Sequence, residues 1–226
     1  MTSIAEAQPQ TYFRPVIFQP SGRGDYVASA CMSFEDWLRL DYEGGLSEWV
    51  DGEARLYMSA TWRHQAIVEF LHIFLSMFVR RGHLGVIKLA PYAMEAAQGG
   101  SGREPDLMFI AAEHLARRGE SHLSGPPDLA IEVVSEDSVA RDFVEKLREY
   151  EAAGIPEYWV IDSRPGHERA AFFVHDGERL APVPADGDGV YRSTAIPGLW
   201  LRVAWLFDEA ADPDAALAEV EADAAR

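Results

Sequence analysis

Two acids and a lysine are the residues of this chain whose types and spacing could do chemistry together. Asp106 opens an apolar strand predicted at 104–110, and Glu132 lies inside a second one predicted at 128–134. Lys146 follows on the helix after the second strand. An Asp and a Glu on neighbouring strands can share one divalent cation, and a lysine beside them can hold a water or an anionic substrate. The three residues therefore predict metal-assisted hydrolysis of a phosphodiester.

Glu132 gives the stronger of the two acidic signals. It interrupts a run that is apolar enough to be buried on both faces of a sheet. A charge buried there is unfavourable unless it is paired or coordinated. A structural salt bridge is the alternative to a metal ligand, and for Asp106 the alternative is a solvated acid at the entry of a strand.

Lys146 and His64 have simpler interpretations when each is taken alone. Lys146 flanks the buried stripe of its helix and follows Asp142 by one turn. The simpler interpretation is therefore an exposed Asp–Lys pair, which stabilises a helix by a few tenths of a kcal/mol. His64 stands near the start of a long helix and could reach the end of the sheet. A partly buried histidine with a structural hydrogen bond is the more common case.

The sequence lacks the patterns of several other kinds of active site. It contains no Cys/His zinc spacing, no Gly-x-Ser-x-Gly elbow and no phosphate-binding Gly-Lys-Ser/Thr loop. Cys31 is the only cysteine, which excludes an internal disulfide and a multi-cysteine metal site. No neighbour of Cys31 in the sequence would activate its thiol.

The elements that must position these residues can be predicted from periodicity and turn residues. Apolar side chains recur at helical spacing from Trp62 onwards, which predicts a long helix at 59–81. The strand with Glu132, the helix with Lys146 and a strand at 157–162 predict a parallel crossover. Asp51-Gly52 predicts a β-hairpin between two short strands, and a second hairpin is predicted at 172–183.

Charge and composition limit the range of functions. The net charge is -17 and the sequence pI is about 4.7, which argues against broad non-specific binding to nucleic acid. No apolar run approaches the ~20 residues of a membrane span, and no signal peptide is evident, so we expect a cytoplasmic protein. We expect a flexible arm at 1–30, one domain at 31–207 and an acidic tail, helical or disordered, at 208–226.

An ordered series of short motifs runs through most of the chain. The series comprises Glu48-Trp49-Val50-Asp51-Gly52-Glu53, then His64, Pro105-Asp106-Leu107, Ile131-Glu132-Val133-Val134-Ser135, Asp142, Lys146, Tyr150, the stretch 154–162, and Ile196-Pro197-Gly198-Leu199. With these motifs the chain resembles the Uma2 family of endonucleases, a branch of the PD-(D/E)XK restriction-endonuclease-like superfamily. The resemblance covers residues 34 to 207 approximately.

The resemblance implies an α/β fold with a restriction-endonuclease-like mixed central sheet flanked by helices, to which the hairpins are added. It also implies that Asp106 and Glu132 are ligands of Mg²⁺ or Mn²⁺. The superfamily's lysine stands two residues after the second acid, where this chain has Val134. Lys146 would then be that lysine, displaced to the following helix. Glu53 and His64 match family positions near the site, without a specific role.

The leading hypothesis is a metal-dependent endonuclease acting on DNA, with Asp106, Glu132 and Lys146 as the catalytic residues. A homodimer is compatible with this, because cutting two strands needs two sites. The acidic charge favours a different interpretation, a non-catalytic interaction module on a nuclease-like fold. Acid/base hydrolysis by the paired carboxylates, as in glycosidases, is a third.

Overall fold

The computed structural model describes residues 19–20, 28–40, 47–57, 60–96, 102–135 and 138–224. Within these ranges the α-helices are Phe34–Leu38 (α1), Trp62–Arg81 (α2), Lys146–Ala152 (α3) and Pro213–Ala224 (α4). The strands are Gln19–Pro20 (β1), Ala28–Cys31 (β2), Ser47–Val50 (β3), Glu53–Leu56 (β4), Gly85–Leu89 (β5), Ala93–Glu95 (β6), Gly102–Arg103 (β7), Leu107–Ala111 (β8), His122–Leu123 (β9), Leu129–Val134 (β10), Glu157–Asp162 (β11), Arg169–His175 (β12), Leu180–Pro182 (β13), Val190–Arg192 (β14) and Trp200–Arg202 (β15).

A central mixed sheet carries the candidate site. As far as the described residues extend, it has six strands in the order β13-β12-β11-β10-β8-β5. Strands β10 and β11 pair in parallel, and the other neighbours pair antiparallel. Because α3 connects β10 to β11, the parallel crossover predicted from the sequence is confirmed, as is the mixed α/β fold.

A second sheet lies beside the first and contains the predicted Asp51-Gly52 hairpin. Its described strands follow the order β1-β2-β4-β3-β7-β6-β9. Asp51 and Gly52 have φ angles of 52° and 84°, the positive values that a two-residue turn between twisted strands requires. The hairpin was therefore predicted correctly, but its membership of a larger sheet was not. The second predicted hairpin, β12–β13, is also present.

Helix α2 packs on one face of the central sheet. Thr61 caps it by accepting a hydrogen bond from the backbone N–H of His64. Its buried apolar side chains are Ile67, Phe70, Leu71, Phe74, Leu75 and Val79. Trp62, which the periodicity placed on this stripe, is instead 83% exposed because it occupies the first helical position, ahead of the turns that meet the sheet.

The opposite face of the central sheet is covered by a second apolar cluster, which includes Tyr150 of α3. Ile131 and Val133 of β10 belong to the cluster on the α2 side, whereas Ala130 and Val134 belong to the cluster on the α3 side. Successive strand residues point to opposite faces. The carboxylate of Glu132 therefore lies on the α3 side of the sheet. The strand that carries it is buried on both faces, as the sequence predicted.

The two ends of the described chain are also paired or packed. Strand β2, whose first residues fall inside the predicted arm, pairs with β4. Residues 1–18 and 21–27 of that arm lie outside the described residues. The acidic C-terminal segment is helical in α4, and Ala216, Leu217 and Val220 pack into the core beside α2. No helix in the described part of the chain has the length and apolarity to cross a bilayer.

Candidate active site

Asp106 and Glu132 are brought together by the antiparallel pairing of β8 with β10. The pairing ends with Ile131 opposite Leu107; Glu132 directly follows Ile131, and Asp106 directly precedes Leu107 at a bend. Oδ2 of Asp106 accepts a hydrogen bond from the backbone N–H of Val133 at 2.7 Å. The predicted approach of the two carboxylates to about 5 Å stays a prediction.

Lys146 reaches the same place from the first turn of α3. Its Nζ lies 2.9 Å from Oε1 of Glu132 and 2.9 Å from Oε1 of Glu48, and 3.5 Å from Oδ1 of Asp142. The lysine side chain is only 1% exposed. The simpler interpretation of Lys146 as an exposed Asp–Lys pair is therefore wrong, because the ammonium is buried among three carboxylates.

Glu48 is a site residue that the sequence reasoning did not single out. It projects from β3 of the second sheet and is fully buried. Its Oε2 accepts a 2.7 Å hydrogen bond from Arg103, and Arg103 also donates two hydrogen bonds to Glu149 of α3. Alternation in β3 places Glu48 on the same face as the buried Val50, a signal that could have identified it.

An irregular turn leads into α3 and orients two of these groups. Residues Arg141–Glu145 form a π-helical turn directly before Lys146, a feature often found at functional sites. The turn points both Asp142 and Lys146 inward, with Asp142 2% exposed. Tyr158 donates a hydrogen bond to the backbone carbonyl of Asp142 at 2.9 Å, which fixes the turn against the sheet.

His64 closes the site from the first turn of α2. Its Nε2 lies 3.2 Å from Oδ2 of Asp106. Burial alone would lower the pKa of His64, but the hydrogen bond with Asp106 and the charges of Asp106 and Asp142 outweigh it and raise that pKa. His64 thus orients Asp106.

The carboxylates around Lys146 differ in how firmly they hold their charge. Burial would raise the pKa of Glu48, but Lys146, Arg103 and Arg141 outweigh it and hold that pKa well below its usual range. Burial raises the pKa of Glu132 to about 8, and the charges of Asp142, Asp106 and Glu48 oppose the lowering effect of Lys146. Burial also lowers the pKa of Lys146, but its three acidic neighbours raise it well above normal, so the ammonium stays charged.

The two predicted ligands fit a hard divalent cation by the chemistry of their donor atoms. Lys146 and Tyr150 both contact Oε1 of Glu132, and Val133 and His64 both contact Oδ2 of Asp106. These contacts use Oε1 of Glu132 and Oδ2 of Asp106, and they leave the second carboxylate oxygen of each acid for a cation. Searched over the described residues, no set of three or more His, Cys, Asp or Glu side chains forms a metal cage. Mg²⁺ is commonly bound by one or two carboxylates, with waters and substrate phosphates completing the shell.

Glu53, the remaining predicted site candidate, makes different contacts. It accepts a hydrogen bond from the hydroxyl of Ser29, and Nε of Arg55 lies 3.2 Å from its Oε2. Glu48, five residues earlier in the same motif, is the acid that reaches Lys146. Arg103 had no sequence signal, since it lies in a Gly-rich stretch without a hydrophobic period.

One protein-family model matches most of the chain. The Uma2 family, described as "Putative restriction endonuclease", matches residues 33–204. The chain belongs to the Uma2 family. The resemblance inferred from the motifs is thereby confirmed, and the matched region contains Asp106, Glu132 and Lys146. Membership supports a nuclease function in general.

A solved structure gives independent support for the fold. The crystal structure of a protein described as a putative nuclease belonging to DUF820, from Anabaena variabilis, has a TM-score of 0.64 with this chain at 17% sequence identity. The alignment covers 79% of this chain and 98% of that one. At this identity the likeness shows the restriction-endonuclease-like fold alone. The comparison with curated proteins gives no match.

Replacing Lys146 with Met tests the burial of its charge. Removing one partner of a buried ion pair leaves an uncompensated charge, so we expect the free energy of unfolding in urea at pH 7 to fall by about 3–5 kcal/mol. The matched control is Arg39→Met, because Arg39 pairs with Asp36 at 3.8 Å on the exposed surface. The Arg39→Met substitution should lower the free energy of unfolding by less than about 1 kcal/mol. Equal effects of the two substitutions would contradict the buried arrangement.

Glu104 predicts a pH dependence of stability. Burial raises its pKa to about 8, assisted by Glu48 and opposed by the backbone N–H of Ser47. Between about pH 4.5 and 8 the folded state therefore keeps a proton that the unfolded state has lost, and stability falls as pH rises. Relative to wild type, Glu104→Gln should gain on the order of 2–4 kcal/mol in unfolding free energy from pH 5 to pH 8.

The control for Glu104 is Glu178→Gln, at an exposed position in the β12–β13 turn. Its unfolding free energy should follow that of wild type at both pH values. A Glu104→Gln protein that also follows wild type would show that Glu104 titrates normally.

Proposed function

We propose that this chain is a metal-dependent endonuclease that hydrolyses phosphodiester bonds in DNA. Asp106 and Glu132 would hold Mg²⁺ or Mn²⁺, and Lys146 would act beside them. The observation that carries this proposal is the buried Lys146 ammonium, 2.9 Å from Glu132, together with Asp106, whose Oδ2 accepts a hydrogen bond from the backbone N–H of Val133, the residue after Glu132. A buried cation shared by acids at one sheet end suits a reaction in which negative charge develops on phosphate.

The chain's own residues have separable roles in this proposal. A divalent cation at Asp106 and Glu132 would supply Lewis-acid polarisation of the phosphate and a water of lowered pKa. Lys146 would orient that water or stabilise the charge that develops on the phosphate. Tyr150 holds Glu132 by a 2.8 Å hydrogen bond, and Glu48 keeps Lys146 charged and in place.

The net charge supports a second candidate function. At -17 the chain would repel nucleic acid over most of its surface, which favours a non-catalytic interaction module. Against it stands the number of buried charged groups around Lys146, because a scaffold alone has no need for them. Cytoplasmic location and homodimerisation remain predictions from the sequence.

Divalent cations should stabilise the native protein. Mg²⁺ or Mn²⁺ binding to the native state alone raises the melting temperature by mass action. We expect calorimetry to show a concentration-dependent rise for wild type that is absent in Asp106→Ala and Glu132→Ala. Glu178→Ala, which removes an acid from an exposed turn, should keep the full rise. An equal rise in Asp106→Ala would place the cation elsewhere.

Cleavage of DNA should depend on the same residues. Asp106→Ala or Glu132→Ala removes a ligand, so activity should be lost entirely. Lys146→Ala removes one positive charge at the transition state, and a fall of roughly 10²–10³ in rate is expected. The assay should use low salt and high protein concentration, because the acidic surface weakens binding.

Two results would contradict the cleavage prediction. If purified wild type cuts no DNA or RNA with Mg²⁺ or Mn²⁺, the interaction module becomes the better account. If Glu132→Ala cuts as fast as wild type, a contaminant is responsible and the assigned site is wrong.

A further inference from the structure

Asp142 carries a buried carboxylate oxygen, Oδ1, that accepts no hydrogen bond from any residue that the structure describes. The side chain of Asp142 is 3% exposed. Nζ of Lys146 lies 3.5 Å from Oδ1, and Nε of Arg141 lies 3.8 Å from it. Both distances exceed the roughly 2.7–3.2 Å of an N–H···O hydrogen bond. Since a buried acceptor without a donor is unfavourable, the position of this oxygen needs a physical reason.

Asp142 lies beside the two predicted cation ligands. Oδ1 of Asp142 and Oε1 of Glu132 flank the same Nζ atom of Lys146, at 3.5 Å and 2.9 Å. Burial raises the pKa of Glu132, and among the acids near it Asp142 raises that pKa most. Burial also raises the pKa of Asp142, and the charge of Asp106 adds to this effect. The carboxylate of Asp142 is therefore within electrostatic reach of both Glu132 and Asp106.

A water bound to a divalent cation needs hydrogen-bond acceptors around it. Its oxygen is turned towards the cation, so its two O–H groups point away as donors. Mg²⁺ usually keeps several such waters when it is bound by one or two carboxylates. The ammonium of Lys146 and the guanidinium of Arg141 have no acceptor, so neither can receive these O–H groups. Oδ1 of Asp142 is an acceptor of the required kind.

The contacts of Asp142 suit an interaction through water better than direct coordination. Among the side chains that the structure describes, no three acids, histidines or cysteines converge as ligands of one ion. A water about 2.1 Å from Mg²⁺ that donates a hydrogen bond of about 2.7 Å reaches an acceptor roughly 4–5 Å from the cation. An acid placed behind the two ligands can thus hold a water of the cation without touching the cation.

We propose that Asp142 is a positioning residue that accepts a hydrogen bond from a water on the divalent cation held by Asp106 and Glu132. This inference rests on the proposed function, because it needs a cation at those two acids. The π-helical turn gives it a structural basis, since it points both Asp142 and Lys146 inward. Tyr158 fixes that turn through the backbone carbonyl of Asp142 and does not engage its carboxylate.

The test is Mn²⁺ binding to the full chain without DNA, measured from the electron paramagnetic resonance signal of the free ion. Asp142→Ala should weaken Mn²⁺ binding by roughly 10- to 100-fold, the usual effect of losing a group that holds a cation's ligands. Asp142→Asn removes the same charge but keeps an oxygen that accepts hydrogen bonds. It should bind Mn²⁺ roughly 2- to 10-fold more tightly than Asp142→Ala, which is the effect of one hydrogen bond.

Glu145→Ala is the matched control, because it removes an acid from an exposed position of the same π-helical turn. This variant should bind Mn²⁺ as wild type does.

Melting in EDTA at pH 7 separates a role towards the cation from a purely structural one. Burial raises the pKa of Asp142, so its charged form is less favourable in the folded than in the unfolded protein above that pKa. Asp142→Asn should therefore melt no lower than wild type when no cation is present. If Asp142→Ala does not fold, Asp142→Asn carries the test alone and should still bind Mn²⁺ more weakly than wild type.

Three outcomes would overturn the inference. Asp142→Ala that binds Mn²⁺ within twofold of wild type would remove any role towards the cation. Equal losses in Asp142→Ala and Asp142→Asn would show that charge alone acts, and a lower melting temperature of Asp142→Asn in EDTA would assign Asp142 a structural role.

The same measurement separates this inference from the proposed function. Wild type that binds no Mn²⁺ would refute the cation site itself, and the inference with it. Wild type that binds Mn²⁺ through Asp106 but independently of Asp142 would refute the inference alone. Binding that depends on Asp142 in a protein that cuts no DNA would uphold the inference and refute the nuclease proposal.

Discussion

The ammonium of Lys146, buried between Glu132 and Glu48, is the interaction on which the rest of the site depends. Glu132 comes from the central sheet and Glu48 from the second sheet, so one cation joins the two sheets at 2.9 Å on either side. Taking a lysine and two carboxylates out of water is unfavourable, and their attraction offsets this only when the geometry is good and further hydrogen bonds are made. Arg103 and Tyr150 supply those bonds.

This arrangement explains why the second sheet is needed for chemistry in the first. Without Glu48, Lys146 would face Glu132 and Asp142 alone, and both have raised pKa values because burial disfavours their charged forms. Glu48 keeps its own charge through Lys146, Arg103 and Arg141, and thereby keeps the lysine charged. The second sheet thus acts as a counter-charge to the lysine, which stays charged, while burial raises the pKa of Glu132. A divalent cation bound at Glu132 and Asp106 would displace the proton of Glu132.

Local patterns in the sequence were sufficient for the strand that carries Glu132 and for the hairpin that carries Glu48. The apolar run around Glu132 predicted a strand buried on both faces, and Asp51-Gly52 predicted a hairpin with two positive φ angles. Local patterns were not sufficient to predict the burial of Lys146, because its helix pattern is equally compatible with an exposed Asp142–Lys146 pair. The burial of Lys146 depends on Glu48, which is almost a hundred residues away in sequence. Arg103 and the exposure of Trp62 are likewise set by tertiary packing rather than by periodicity.

The most direct test of this account is a crystal structure of the wild-type protein soaked in Mn²⁺, with anomalous diffraction to locate the ion. We expect one strong peak between the carboxylates of Asp106 and Glu132, with Lys146 still paired to Glu48, and no such peak in Glu132→Ala crystals. A peak away from both acids, or no peak in wild-type crystals at a Mn²⁺ concentration that supports cleavage, would contradict the assignment of this site.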